Sequence, residues 1–189
     1  MGKLTHPLGV ATAALVAAGA GLGIAHVARG ASSLPPDAPA YSAFAPFDGS
    51  GESTNCPDAE GLERNKANVV GYYTTAFNDH DPVAAVEQYG GDEYIQHNPL
   101  ADNGFDAFIG FVESIAGDFP DLNIDLVRVF AECDFVITHG IVSGAEPVFG
   151  ELGNKVVDVF RLDPTGAIVE HWDVVAPISA ESANGNPEV

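Results

Sequence analysis

The order of periodicities along the chain predicts an α+β domain whose antiparallel sheet curves around its helices. Early in the folded unit, Leu62, Val69, Val70, Tyr73 and Phe77 recur at helical spacing. Later, four strand-like segments follow one another with no helix between them. The last two flank Asp163-Pro164-Thr165-Gly166, residue types that form a tight turn and make the pair a hairpin. Such a sheet, bent around a long helix, leaves a cavity at its open end.

Two segments precede that unit. Residues 1–30 read as a signal peptide or a membrane anchor. Lys3 and His6 come before an Ala/Gly-rich apolar run at 8–27, which ends near Ala28-Arg29-Gly30-Ala31. Small residues at 28 and 30 suit cleavage after Gly30, which would export the domain, secreted or periplasmic. A run of about 20 residues is also long enough to span a bilayer and act as a tether, with the domain outside the cytoplasm. A plain Ala-rich soluble helix is the third alternative. No Cys follows the run directly, as a lipoprotein requires, and no Arg-Arg pair marks the twin-arginine route. Residues 31–60 hold Pro35, Pro36, Pro39, Pro46 and Pro57 among Ser, Gly, Asp and Ala, a linker without an apolar period.

The domain itself spans 61–178, followed by a polar stretch at 179–189 expected to be a flexible tail. Its first helix ends at Asn78-Asp79-His80-Asp81-Pro82. Asp81 then caps a second helix, with Pro82 in the first turn and Val83, Val86 and Tyr89 expected to be buried. A short strand at 93–97 stops at Asn98-Pro99. A third helix starts near Gly104, buries Phe105, Phe108, Ile109, Val112 and Ile115, and stops at Gly117-Asp118-Phe119-Pro120. The strands at 123–131 and 135–143 flank a turn holding Cys133, and those at 155–162 and 167–175 flank the Asp163 turn.

Alternation along a strand places Val156, Asp158 and Phe160 on one face. A four-residue turn at 163–166 sets residue 158 opposite 171, so Val169, His171 and Asp173 share that face. A bulge at Gly166 would instead turn Glu170 and Trp172 inward, and alternation alone does not choose between the two.

Charge narrows the function. All 27 acidic residues lie beyond residue 30, together with only five of the seven Lys and Arg. Such a surface repels phosphate backbones, which argues against nucleic acid as a partner. Cys56 and Cys133 are the only cysteines. In an oxidising compartment they can form a disulfide that clips linker to domain; in a reducing one they stay free.

One constellation carries chemistry: His97, His139 and His171 with Tyr73, Asp158 and Asp173. There is no Gly-rich phosphate loop, no G-x-S-x-G elbow and no Cys cluster. Imidazole and carboxylate move protons near neutral pH without a cofactor, and none is expected. In a pocket lined by Phe77, Phe108, Phe160 and Val156, an apolar surround disfavours the charged form of Asp158. A protonated carboxyl donates to a carbonyl oxygen while a neutral imidazole removes the neighbouring proton, the pairing needed for enolisation. Tyr73 adds a second donor to the developing enolate oxygen.

Plainer roles stand beside these. His97, before Asn98-Pro99, can serve only to satisfy a strand end. His171 can be a hydrogen-bonded partner of Asp158 or Asp173. Tyr73 can be core, and His80 a loop residue. A lone acid among Val156, Val157, Val159 and Phe160 is harder to explain as packing. Three His with Asp158 or Asp173 can in principle furnish metal ligands, but no i,i+4 spacing supports this and no metal is expected.

Residues 65–177 resemble the nuclear transport factor 2-like superfamily, and within it the SnoaL-like polyketide cyclase group. The matching pieces are Asn78-Asp79-His80-Asp81, Tyr94-Ile95-Gln96-His97-Asn98-Pro99, Thr138-His139-Gly140, Asp158-Val159-Phe160-Arg161 and the run from Gly166 to Val174. The resemblance implies a cone-shaped α+β barrel and a homodimer through the outer sheet face. It implies that Asp158 is the acid/base of an aldol-type ring closure and His139 a pocket histidine. More distant ketosteroid isomerases match their hydrogen-bonding Asp to Asp158, their oxyanion Tyr to Tyr73 and their general base to a position at or beside His97. The same alignment puts His171 and Asp173 inside. Departures are the export-type leader, Cys133 at a turn where the group often has Gly, and Val127-Arg128-Val129-Phe130 where epoxide-hydrolase-like members have Arg-x-Asp. The function expected is a small-molecule enzyme of the cyclase or isomerase class, including dehydration. The alternative is an exported, non-catalytic domain that binds an apolar small molecule.

Overall fold

The computed structural model describes residues 56–189. The segment expected as a signal peptide or anchor at 1–30, and the expected linker up to residue 55, lie outside the described residues. Among the described residues, no helix is long and apolar enough to cross a membrane.

Helix α1 (Ala59–Tyr73) begins where the Asp58 side chain accepts the Gly61 N–H at 3.0 Å, and it runs on into a π-helical turn at Thr74–Asn78. The Asn78 amide ends that turn by docking on the sheet: it accepts from Ile124 N at 2.8 Å and donates to Ile124 O at 3.0 Å. Asp81 caps α2 (Pro82–Tyr89) through Ala84 N. Then come β1 (Gly90–Gln96), α3 (Phe105–Asp118), β2 (Asn123–Glu132), β3 (Phe135–Ser143), the single turn α4 (Glu146–Phe149), β4 (Asn154–Leu162) and β5 (Ile168–Pro177). The sheet order is β1-β5-β4-β3-β2, so β1 and β2 are edges and the curved sheet is unclosed.

Three features differ from expectation. The sheet is mixed, because β1 pairs with β5 in parallel. Only a hairpin turn forces an antiparallel partner, and β1 reaches β5 through α3 and three further strands. On α2, Val83 is exposed and Ala85 is buried in its place. On the last hairpin, Asp158 lies opposite Asp173 and His171 opposite Phe160, with the register shifting beside Leu162. This is two residues from the expected pairing. An even offset keeps the face, so His171 and Asp173 still point inward.

The curvature has a local origin on β2 and β3. The register slips between Leu126 and Arg128, and Gly140 sits opposite that slip. A Cβ on Gly140 would lie 2.5 Å from the Asp125 carbonyl oxygen, so only glycine lets the two backbones approach there. The Asp163 turn is closed by its own side chain, which accepts from Thr165 N, Thr165 Oγ1 and Ala167 N.

The core fills the space between the helices and the concave sheet face. Val69, Tyr72, Ala76, Val136, Phe160 and Ile168 are fully buried. Burial of an aliphatic or aromatic side chain of this size contributes about 1.5–3 kcal/mol each. A disulfide joins Cys56 to Cys133 in the two-residue turn between β2 and β3, 77 residues apart. Within 179–189, the stretch expected as a flexible tail, Glu188 pairs with Lys155 on the convex side of the sheet.

Candidate functional site

Four strands and one helix contribute polar side chains to one network beneath the helices. Tyr73 is the last residue of α1, Gln96 the last of β1, Thr138 lies on β3, Asp158 on β4 and His171 on β5. The register brings them together: Thr138 pairs with Asp158 across β3–β4, and Gln96 with His171 across β1–β5.

Asp158 is 1% exposed and His171 5%. Tyr73 Oη donates to Asp158 Oδ1 at 2.7 Å, and Thr138 Oγ1 donates to Oδ2 at 2.6 Å. His171 Nε2 lies 3.1 Å from Tyr73 Oη and 3.3 Å from Asp158 Oδ1, and its Nδ1 lies 3.1 Å from Gln96 Oε1. Burying a carboxyl is costly unless its oxygens are engaged. Here both are, each by a hydroxyl group.

Aromatic rings enclose this network. The Phe160 ring stands 4.7 Å from that of His171 and 5.2 Å from that of Tyr73, and Phe77 lies 5.4 Å from Tyr73. Phe108 packs 6.0 Å from Phe77, and Val156 is buried one inward position before Asp158 on β4. Asp173 is half-buried and accepts from Asn98 Nδ2 at 2.7 Å.

Burial, and then the nearby Asp158 charge, hold the Tyr73 hydroxyl protonated well above the ordinary tyrosine range. Burial likewise pushes up Tyr72 and Tyr94. At neutral pH all three are therefore neutral hydroxyls.

Two expected members are elsewhere. His139 pairs across strands with Val157 and Arg128, on the convex face, and its Nδ1 accepts from Arg128 Nη1 at 3.1 Å. Alternation explains this: Val136, Thr138, Gly140 and Val142 take the concave positions of β3. His97 is also outside, with its side chain 40% exposed. Its ring stacks on Trp172 at 4.5 Å, and its Nε2 lies 2.8 Å from Glu170, which also binds Arg161 Nε at 2.6 Å. Counting by two from buried Tyr94 puts Gln96 inside and His97 out.

Thr138 and Gln96 carried no assigned role in the sequence, although both sit in the matching motifs. The signal for Gln96 was its spacing from Tyr94. On β3 both faces are apolar, from Phe135 to Val142, so alternation gave no contrast by which to choose Thr138 over His139.

Asp158, His171 and Asp173 each offer a ligand atom, all within 4.8 Å of one another. Two carboxylates and an imidazole are a plausible donor set for a divalent cation. Each oxygen of Asp158 already accepts one hydrogen bond, from Tyr73 and from Thr138, which leaves fewer lone pairs open to an ion.

Among curated proteins, none matches this chain by sequence. Solved structures do share its fold. A candidate SnoaL-like polyketide cyclase from Jannaschia sp. CCS1 superposes with a TM-score of 0.51 at 19% identity, covering 63% of this chain and 90% of that one. TsrD from Streptomyces laurentii gives 0.50 at 20% identity, covering 63% and 90%. A candidate polyketide cyclase from Acidithiobacillus ferrooxidans gives 0.50 at 17%, covering 59% and 87%. At these identities the likeness is one of fold. The family model described as a SnoaL-like domain matches residues 69–171, more than half of the chain, from the middle of α1 to the buried histidine of β5. The chain belongs to the SnoaL-like domain family, within the nuclear transport factor 2-like fold.

Proposed function

We propose that this domain is a cofactor-independent enzyme that moves a proton next to a carbonyl group, as in aldol-type cyclisation, isomerisation or dehydration. The observation that carries the reading is Asp158, 1% exposed and held between the Tyr73 hydroxyl and the His171 imidazole. Asp158 is the acid/base, Tyr73 the donor that supports a developing enolate, and His171 the group that exchanges the proton. His171 thus takes the part that the sequence suggested for His97 and His139. Phe77, Phe108, Phe160 and Val156 form the apolar wall that selects a small, mainly hydrophobic substrate.

The test is exchange of α-protons for deuterium in a panel of β-keto esters and aryl ketones, followed by proton NMR in D2O. Wild-type protein should accelerate exchange, and Asp158→Asn should lower the rate by roughly 10²–10⁴-fold, the usual share of general acid–base catalysis. Absence of acceleration across the panel would sink the catalytic reading.

A binding domain for an apolar small molecule is the second reading. In its favour, Asp158 and Tyr73 already satisfy one another, as a purely structural polar core would. A binding domain keeps its affinity in Asp158→Asn and loses it in Phe160→Asp. Export remains part of the proposal, tested by N-terminal sequencing of the protein recovered outside the cytoplasm. So does self-association through the convex face. That face exposes Phe130, Ile137, Val157 and Val174 and carries Arg128, Lys155 and Arg161, three of the cations of an otherwise acidic chain. Sedimentation of a Val174→Glu variant tests it.

A further inference from the structure

We propose that Gln96 is a positioning residue that fixes the tautomer of His171, and so makes Asp158, Tyr73 and His171 a two-proton relay. The inference deepens the functional reading above and rests on the same site.

The backbone N–H of Asn98 donates to Gln96 Oε1 at 2.9 Å. An N–H can meet only the oxygen end of an amide, so this bond sets the Gln96 side chain one way round. Its other end agrees, since Gln96 Nε2 reaches Tyr94 Oη at 3.3 Å. The same Oε1 lies 3.1 Å from His171 Nδ1. An amide oxygen donates nothing, so the hydrogen between them sits on Nδ1. In the neutral ring, Nε2 is then a bare acceptor facing Tyr73 and Asp158.

Tyr73 has one hydroxyl proton and two neighbours, Asp158 Oδ1 at 2.7 Å and His171 Nε2 at 3.1 Å. Thr138 supplies its hydrogen to the other carboxyl oxygen. Two arrangements leave no acceptor facing a bare acceptor. In the first, neutral Asp158 donates from Oδ1 to Tyr73 Oη, and Tyr73 donates to Nε2 of a neutral imidazole. In the second, imidazolium Nε2–H donates to Tyr73 Oη, and Tyr73 donates to the Asp158 carboxylate. They contain the same atoms and the same total charge. One becomes the other when the carboxyl O–H and the tyrosine O–H bonds break as new O–H and N–H bonds form at Oη and Nε2. Asp158 can therefore present itself as acid or as base while the heavy atoms stay in place. Without the Gln96 acceptor the ring is free to carry its hydrogen on Nε2, and the first arrangement is lost.

The experiment is nitrogen-15 NMR of the histidine ring in protein labelled at histidine, with His171 assigned by the His171→Gln variant. Wild type should show a protonated, pyrrole-type Nδ1 for His171. Gln96→Leu should lose that signal in favour of a protonated Nε2, and Gln96→Glu, which keeps an acceptor at the same reach, should retain it. α-Proton exchange should fall on the order of tenfold or more in Gln96→Leu and return in Gln96→Glu. A pyridine-type Nδ1 in wild type overturns the proposal, as does an unchanged spectrum in Gln96→Leu. Should Gln96→Leu fail to fold, the wild-type and Gln96→Glu spectra decide alone. The ring signals need no turnover, so a correct tautomer with no exchange activity condemns the functional reading and leaves the tautomer lock standing.

Discussion

The two faces of the sheet carry the same residue types in opposite circumstances. On the concave face, His171 meets Asp158 and Tyr73 with almost no solvent. On the convex face, His97 meets Glu170 beside Trp172 with its ring 40% exposed. Both are imidazole–carboxylate pairs, and the convex contact is the shorter, at 2.8 Å against 3.3 Å. Distance is therefore a poor guide to importance. A buried polar group has no water to fall back on, so losing its partner is expensive. A solvated pair loses little when it opens.

Breaking the concave network should have the largest effect. Asp158→Ala leaves the Tyr73 and Thr138 hydroxyls and the His171 ring without their shared acceptor, and should lower unfolding stability by about 3–5 kcal/mol in urea titrations. A loss under 1 kcal/mol would erase the distinction between the faces.

Tyr73→Phe should cost about 1–3 kcal/mol at neutral pH, since it leaves Asp158 Oδ1 short of a donor. Its pH dependence sharpens the point. The folded state holds the Tyr73 proton well above the ordinary value of 10.0, because of burial first and the Asp158 charge second. The stability linked to that proton is whole below pH 10 and is lost as pH rises beyond it, where the unfolded chain ionises and the folded one does not. The gap between wild type and Tyr73→Phe should accordingly narrow in alkaline urea titrations.

On the convex face, His97→Ala should change stability by less than about 1 kcal/mol and leave α-proton exchange unaltered. A loss of exchange would return His97 to the site. The smallest effect is expected at the exposed Asp163 turn that joins the two strands bearing both clusters. Burial pushes the Asp163 carboxyl up, but hydrogen bonds from Thr165, Ala167 and Gly166 outweigh it and hold the group below its ordinary value of 3.8. That contribution is present above pH 3.8 and disappears as pH falls through the folded value. Asp163→Asn should therefore match wild type only in acid, a comparison for thermal melts between pH 2 and 6.

Tyr73, Asp158 and His171 are legible as polar groups on apolar faces, which helical spacing and strand alternation put beside Phe77, Phe108, Phe160 and Val156. Asp158 is a lone acid among valines, and Tyr73 lies on an apolar helix stripe. His97 and His139 lie on the convex face because each stands one position from an inward residue, Gln96 and Thr138. A strand turns neighbouring side chains to opposite faces. Where both faces are apolar, composition does not say which is which.

Local chemistry determined the elements: helical stripes, the Asp81 cap, the Asp163 turn and the separation of four strands can all be read from short windows, because the forces that set them act over a few residues. Partnership was decided only by the folded chain. That β1 lies parallel to β5, that Asp158 faces Asp173, and that Gln96 reaches His171 from 75 residues away depend on packing and register between distant segments, which no local window contains.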